Sequence, residues 1–159
     1  MRRSFSMIEM LGVIIVIMIL AGLLFPTISS IIKQGNDTKT KAKIVTLQTA
    51  IMAYKSTYGY LPFTPSKSSD AQLTDAEYDV LLNCLTAESD AANPRKIRFL
   101  DKKEISYKDA WDRDFRVTLD LDYSGEITST STIPAEVAVS SAGSDESWGT
   151  DDDINSWDN

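Results

Sequence analysis

Residues 5–25, FSMIEMLGVIIVIMILAGLLF, form an apolar stretch that constrains the fold more than any other part of the chain. Glu9 is its single charged residue, and Ser6 is otherwise its only polar one. As a helix with a rise of about 1.5 Å per residue, it would extend about 31 Å, enough to cross the core of a bilayer. Arg2 and Arg3 precede it, and this charge bias predicts a cytoplasmic N-terminus with the remaining chain across the membrane.

The carboxylate of Glu9 is unusual in such a stretch. An ionisable group inside an apolar span is disfavoured by a few kcal/mol, and its default explanation is a function with a nearby partner. The alternative is that the side chain extends to the cytoplasmic interface, as long charged side chains do. The residues alone leave both interpretations open.

The short basic leader, residues 1–4, is followed by Phe5-Ser6-Met7-Ile8-Glu9-Met10-Leu11 and an unbroken apolar run. This arrangement resembles the cleavage and methylation segment of type IV pilins and of the pseudopilins of type II secretion. The resemblance implies that a prepilin peptidase cuts between Ser4 and Phe5 and methylates the new amine. Glu9 then takes the family's acidic position, which implies an ion pair with the Phe5 amine of a neighbouring subunit. The family usually has Gly before the cut, where this chain has Ser4.

Composition limits what the rest of the 159-residue chain can do. Residues 1–55 hold seven basic and two acidic side chains, a net charge of +5, whereas residues 56–159 hold nine and twenty-one, a net charge of −12. The acidic second part lacks the basic, aromatic surface of a nucleic-acid binder. A single cysteine, Cys84, excludes an internal disulfide. There is no His, and no Ser-His, Cys-His or phosphate-loop pattern, so the sequence predicts no enzyme.

Helical periodicity continues beyond the apolar stretch. An apolar seam with steps of three and four residues predicts that one long helix covers residues 5–58, with a possible bend at Pro26 or Gly35 and its second half packed on a domain. The seam consists of Ile44, Leu47, Ile51, Tyr54 and Tyr58.

A second helix is predicted after a polar loop at 62–72. Thr74 and Glu77 have the spacing of a capping box, and Leu73 and Tyr78 are placed as a hydrophobic staple around it. Cys84 is predicted to be a small packed residue of this helix. The expected buried face consists of Tyr78, Leu81, Leu82 and Leu85.

The period changes to two in the second half of the chain. Alternation over 115–121 predicts a strand that forms a hairpin with 126–132, and 135–140 predicts a third strand. A short extended piece is expected at 96–100. The predicted fold class is α+β and pilin-like: a long N-terminal helix, transmembrane in its first half, packed on a small antiparallel β-sheet. The predicted organisation is a leader at 1–4, an apolar assembly helix at 5–35 and a periplasmic head at 36–159.

Two acidic segments are candidates for binding a metal ion. Residues 120–131 begin like a calcium loop, with oxygens at alternate positions and Gly125 at the sixth, but Ser131 at the twelfth cannot supply the bidentate carboxylate. A plain hairpin turn is the preferred interpretation. Residues 140–159 hold six acidic side chains and no basic ones. A solvated acidic tail is one alternative, but such a tail is not expected to contain large apolar side chains such as Trp148, Ile154 and Trp157.

The run Ser141-Ala142-Gly143-Ser144-Asp145, followed by residues 149–154 and Trp157, resembles the C-terminal loop of major pseudopilins. The resemblance implies a structural Ca²⁺ held by the side chains of Asp145, Asp151 and Asp153 and by the carbonyl oxygen of Ser141. The chain departs from the family at Glu146, where Gly is common, and at Asp152, where an uncharged residue is common. Residues 110–112, which follow Asp109, resemble a turn of the same family.

These resemblances imply a structural subunit of a type II secretion pseudopilus, processed by prepilin peptidase and polymerised into a filament. The expected partners are copies of itself, minor pseudopilins, the prepilin peptidase, an inner-membrane assembly platform and membrane lipid, and no nucleic acid. The expected location is the bacterial inner membrane, crossed once, with the C-terminal domain in the periplasm. The alternatives are a type IV or competence pilin, an anchored calcium-binding head that does not polymerise, and a tethered hydrolase.

Overall fold

The computed structural model of the protein describes residues 6–63, 69–88, 92–101, 108–128 and 132–158. The architecture is α+β, as predicted, with a long N-terminal helix and a small antiparallel sheet. The chain forms two compact units, Met1–Gly35 and Asn36–Asn159. The elements in chain order are α1 (Met7–Tyr58), β1 (Ala71–Gln72), α2 (Asp75–Leu85), β2 (Arg116–Leu119), β3 (Ile127–Thr128), β4 (Thr132–Ile133), β5 (Val137–Ser141) and β6 (Ile154–Asn155).

The prediction of a membrane-spanning first half of α1, and with it a single-pass location in the bacterial inner membrane with a periplasmic C-terminal domain, is wrong. Within the parts of the chain that the structure describes, no helix combines the length and the apolarity that a membrane span requires.

The second part of α1 forms one wall of the core of the unit Asn36–Asn159. The predicted seam is confirmed, since Ile44, Leu47, Ile51 and Tyr54 are all buried, and Tyr58 is half-buried. These side chains share one cluster with the buried residues of α2, β2 and β5. The amphipathic pattern of the sequence therefore identified the helix face that meets the rest of the domain.

The α2 helix matches its prediction closely. The Thr74 side chain accepts a hydrogen bond from the Glu77 backbone N–H, and the Glu77 carboxylate accepts one from the Thr74 backbone N–H, at 2.9 Å, so both halves of the capping box are present. Leu73 and Tyr78 are buried, as a hydrophobic staple requires. Cys84 is buried as well. Residues 96–100 carry no strand.

The main sheet has the order β1-β2-β5-β6, and all its pairs are antiparallel. Within it Val117 of β2 lies opposite Val139 of β5. The predicted hairpin of β2 with the segment that follows it is wrong, because β3 pairs with β4 in a separate two-stranded sheet. The alternating pattern predicts a strand but says nothing of its partner. β2 is central, between β1 and β5, and a pairing with β5 is not a local property of the sequence.

Candidate functional site

The first turn of α1 contains the predicted assembly residue. One carboxylate oxygen of Glu9 accepts a hydrogen bond of 2.9 Å from the backbone N–H of Ser6, which satisfies one of the open donors at the helix N-terminus. Ser6 and Glu9 have the spacing of a capping box, a signal that the sequence interpretation missed. Ser4 and Phe5, the predicted cleavage and methylation residues, lie outside the described residues.

A continuous apolar surface follows Glu9 along α1. Every large hydrophobic side chain from residue 7 to residue 20 is between 50 and 91% exposed. An open groove of about 470 Å³ runs along one face of this segment and is lined by Glu9, Gly12, Val13, Val16 and Ile17. Exposed apolar surface of this extent on a protein marks a site of interaction. The exposed side chain of Glu9 therefore lies at the end of an apolar groove.

The C-terminal loop is organised by Asp152. Its Oδ2 accepts hydrogen bonds from the backbone N–H of Ser144 at 2.7 Å, the Ser144 hydroxyl at 2.8 Å and the backbone N–H of Asp145 at 3.0 Å. Its Oδ1 accepts one from the Thr150 hydroxyl at 2.7 Å. The Thr150 and Ser144 hydroxyls, which stabilise the charged form, lower the pKa of Asp152 below its ordinary value. A single carboxylate thus joins the two ends of the loop.

Gly143 permits this closure. Its φ is +63°, and a Cβ at this position would lie 2.1 Å from the backbone carbonyl oxygen of Asp152. That distance excludes any side chain unless the backbone moves. The two segments of the loop therefore approach each other at a glycine.

A buried carboxylate supports the base of the loop. Oδ1 of Asp109 accepts hydrogen bonds from the backbone N–H groups of Trp111 at 2.9 Å and Arg113 at 3.0 Å. Its Oδ2 accepts one from the Ser141 hydroxyl at 2.7 Å. Nη2 of Arg113 lies 3.5 Å from the same oxygen and donates to the carbonyl oxygen of Gly143. The turn at 109–113 is therefore bound directly to the start of the C-terminal loop.

The predicted calcium ligands have different surroundings. Oδ1 of Asp145 accepts from the Ser147 backbone N–H at 2.8 Å, and Oδ2 of Asp153 accepts from the Gly149 backbone N–H at 2.7 Å. Oδ1 of Asp153 is buried and has no hydrogen-bond partner, whereas Asp151 is exposed. Ca²⁺ binds six to eight converging oxygen atoms.

The described structure does not bring these carboxylates together. In the part of the chain that the structure describes, one group of three acidic residues has ligand oxygens within 4.8 Å of one another, and it consists of Asp70, Asp120 and Asp122. The carboxylates of Asp145, Asp151 and Asp153 do not form such a group, and the contacts that close the loop are those of Asp152. Calcium binding by Asp145, Asp151 and Asp153 stays a prediction.

The three clustered carboxylates have ordinary hydrogen-bonding roles. Oδ2 of Asp120 accepts from the Gly125 backbone N–H at 2.8 Å, and Oδ1 of Asp122 accepts from the Ser124 backbone N–H at 2.9 Å. The bond from Ser124 lowers the pKa of Asp122. These contacts stabilise the turn after β2.

Asp70 joins that turn from another part of the chain. Its Oδ2 accepts from the Thr128 backbone N–H at 2.6 Å, and its Oδ1 is buried without a hydrogen-bond partner. Asp70 lies in a segment predicted to be a polar loop, and no local pattern connects it with Thr128, 58 positions later. The sequence interpretation therefore missed this contact.

Comparison with protein families, curated proteins and solved structures found no match for this chain, so the resemblance to pseudopilins rests on its sequence motifs.

Proposed function

We propose that this protein is a structural subunit of the pseudopilin type, which polymerises through the first part of α1 into a filament that serves type II protein secretion. The observation that carries the proposal is the apolar surface of residues 7–20, whose large side chains are at least half exposed. Burial of apolar surface contributes roughly 25 cal/mol per Å². Side-by-side packing of several such helices would remove most of this surface from water.

Glu9 fixes the position of each subunit along the axis of this assembly. A carboxylate enclosed among packed apolar helices is strongly disfavoured unless a cation pairs with it. Within its own chain the Glu9 side chain accepts from a neutral backbone N–H, that of Ser6, and this leaves its charge uncompensated by that contact. We assign the compensating cation to the N-terminal amine of Phe5 in a neighbouring subunit, created by prepilin peptidase. Each added subunit is then placed at one axial position.

The C-terminal loop favours a secretion filament over an adhesive pilus. Adhesive pilins commonly close this region with a disulfide, which the single, buried Cys84 cannot form within the chain. Here the hydrogen bonds to Asp152 close the loop. The type IV or competence pilin remains the alternative function, since it shares the same N-terminal motif.

The experiment compares Glu9→Gln with Glu9→Ala in the full chain, produced together with a prepilin peptidase. Gln keeps an oxygen that can accept from the Ser6 N–H, and so keeps the helix cap, but it removes the charge. We expect the wild-type chain to begin at an N-methylated Phe5 and to form filaments visible by electron microscopy. Both variants should fold, as judged by circular dichroism, and should form no filaments.

The Gln variant separates the two roles of Glu9. Normal filaments from Glu9→Gln, with loss only in Glu9→Ala, would show that the residue acts as a helix cap and would contradict the charge pairing. A wild-type chain that is cleaved but stays monomeric would contradict the proposed function itself.

A further inference from the structure

A second exposed surface lies on α1 within the unit Asn36–Asn159. On its outer side, opposite the buried seam, the exposed positions between Lys41 and Ser56 carry no charge, although solvent-facing helix positions are usually charged. Val45 is 59% exposed and Met52 is 39% exposed. The exposed positions are Ala42, Val45, Thr46, Thr49, Met52 and Ala53.

The threonines of this surface turn their polar atoms inward. The Thr46 hydroxyl donates to the Ala42 carbonyl oxygen at 2.8 Å, and the Thr49 hydroxyl donates to the Val45 carbonyl oxygen at 2.7 Å. A hydroxyl that is bonded to its own helix directs the methyl group of the side chain elsewhere. The surface is therefore more apolar than its composition indicates.

The neighbouring lysines divide into two kinds. Nζ of Lys43 donates to the Lys108 carbonyl oxygen at 2.6 Å, and Lys55 forms an ion pair of 2.7 Å with Glu136, so both lean onto the domain. Lys39 and Lys41, by contrast, are exposed at the N-terminal end of the surface. The result is an apolar helix face with positive charge at one end.

An open groove of about 380 Å³ borders the other end of this face. It is lined by Gln48, Thr49 and Met52 of α1 and by residues 135–137. The Gln48 side chain donates to the Val137 carbonyl oxygen at 3.1 Å, which fixes that wall of the groove. The face therefore has a mostly apolar groove at this end, in whose wall the Glu136 carboxylate is ion-paired with Lys55, and positive charge at the other end.

The C-terminal loop has a surface that is complementary to this face of α1. Residues 144–151 are all exposed and include Asp145, Glu146 and Asp151 but no basic residue. Trp148 is 41% exposed, and its ring lies over Arg116, with 3.7 Å between the guanidinium carbon and the ring centroid. An acidic loop with one exposed aromatic ring matches a surface that is basic at one end and apolar at the other.

We propose that the outer face of α1, residues 39–53, binds the acidic loop, residues 144–151, of a second copy of this chain. The inference rests on the proposed function, because it adds a contact between the domains of subunits that assemble through residues 7–20. The two surfaces are different, so the contact is head-to-tail and can repeat without closing into a dimer. Charge complementarity sets which surfaces meet, and the apolar area supplies stability.

Charge reversal tests the contact in the full chain. The double variant Lys39→Glu with Lys41→Glu and the double variant Glu146→Lys with Asp151→Lys should each raise the protein concentration needed for filament formation about tenfold, because like charges then face each other. The quadruple variant should return toward the wild-type concentration. Asp79→Lys, at an exposed position of α2, is the matched control and should change little. No rescue in the quadruple variant would overturn the proposal.

Cross-linking gives the second measurement. Thr46→Cys in one chain and Ser147→Cys in another should form a disulfide when the two chains are mixed and assembled, whereas neither variant alone should form one. Cys84 is buried and does not interfere. Filaments without this cross-link would overturn the contact and leave the proposed function intact. A wild-type chain that never assembles would overturn both.

Discussion

The hydroxyl of Ser141 donates a hydrogen bond of 2.7 Å to Oδ2 of Asp109, and the two residues are 0% and 4% exposed. Ser141 ends β5, whereas Asp109 begins a turn 32 residues earlier in the chain. The bond therefore fixes the point from which the C-terminal loop departs. Ser141 is also the predicted carbonyl ligand of calcium, a role that this contact of its hydroxyl does not test.

Replacement of Asp109 tests the importance of this anchor. Asp109→Ala would leave the Ser141 hydroxyl and two backbone N–H groups without their acceptor in a buried site, and we expect a loss of about 3 kcal/mol in the free energy of unfolding. Asp109→Asn keeps one acceptor oxygen and should lose about 1 kcal/mol. Chemical denaturation of both variants measures the difference. Equal losses would show that the hydrogen bonds to the carboxylate contribute little.

Gly143 and Gly149 provide a matched pair for the loop. Both have positive φ, at +63° and +86°, but an added Cβ meets Asp152 only at Gly143. Gly149→Ala should therefore cost only the conformational penalty of about 1 kcal/mol. Gly143→Ala should open the loop and accelerate amide hydrogen exchange at Ser144 and Asp145. Equal exchange rates in the two variants would contradict the close approach at Gly143.

Asp152 makes the loop sensitive to acid. Since its pKa is lowered in the folded protein, its contribution to stability is present above the unfolded pKa of about 4 and is lost as the pH falls from there toward the folded pKa. The amide resonances of Ser144 and Asp145 should stay constant between pH 7 and pH 4 and shift below that range. Asp152→Asn should remove this transition, whereas Asp151→Asn should keep it. A transition centred near pH 4 in the wild type would contradict the lowered pKa.

The sequence predicts the local features of this fold better than it predicts which strands pair with each other. α2 could be placed because its capping box and its apolar period lie within a dozen residues. β2 was recognised from its alternation, but its partner β5 begins 18 residues after β2 ends, and a turn signal at Gly125 favoured the wrong hairpin. β1 and β6 have two residues each, too few to show a period.

In the candidate site, too, the local features could be predicted from the sequence and the contacts between distant residues could not. An acidic C-terminal loop was predicted from its resemblance to pseudopilins, yet the residue that organises the loop is Asp152, one of the two positions at which the chain departs from that pattern. The contacts of Asp152 and Asp109 depend on the path of the backbone, which composition does not determine. The apolar stretch of α1 was evident from the sequence, but the structure corrects its assignment as a membrane span.

Cys84 provides a reporter for the stability of α2. It is 2% exposed, and its Sγ lies 3.7 Å from the Ala92 carbonyl oxygen. Burial raises the pKa of its thiol to about 11, so very little reactive thiolate is present at neutral pH. We expect thiol reagents to label Cys84 slowly in the native protein and rapidly in denaturant. Native labelling at the rate of a free thiol would contradict the burial.

The helix cap should control this labelling. Thr74→Ala removes the N-cap of α2 and should lower its stability by about 1 kcal/mol, which corresponds to labelling about fivefold faster when local opening limits the reaction. Thr46→Ala removes an exposed hydroxyl of α1 and serves as the control, since it touches neither α2 nor its cap. Equal acceleration in both variants would mean that Cys84 becomes accessible through global unfolding. Acceleration in Thr74→Ala alone would show that α2 opens as a unit, because its cap and its buried face stabilise the same eleven residues.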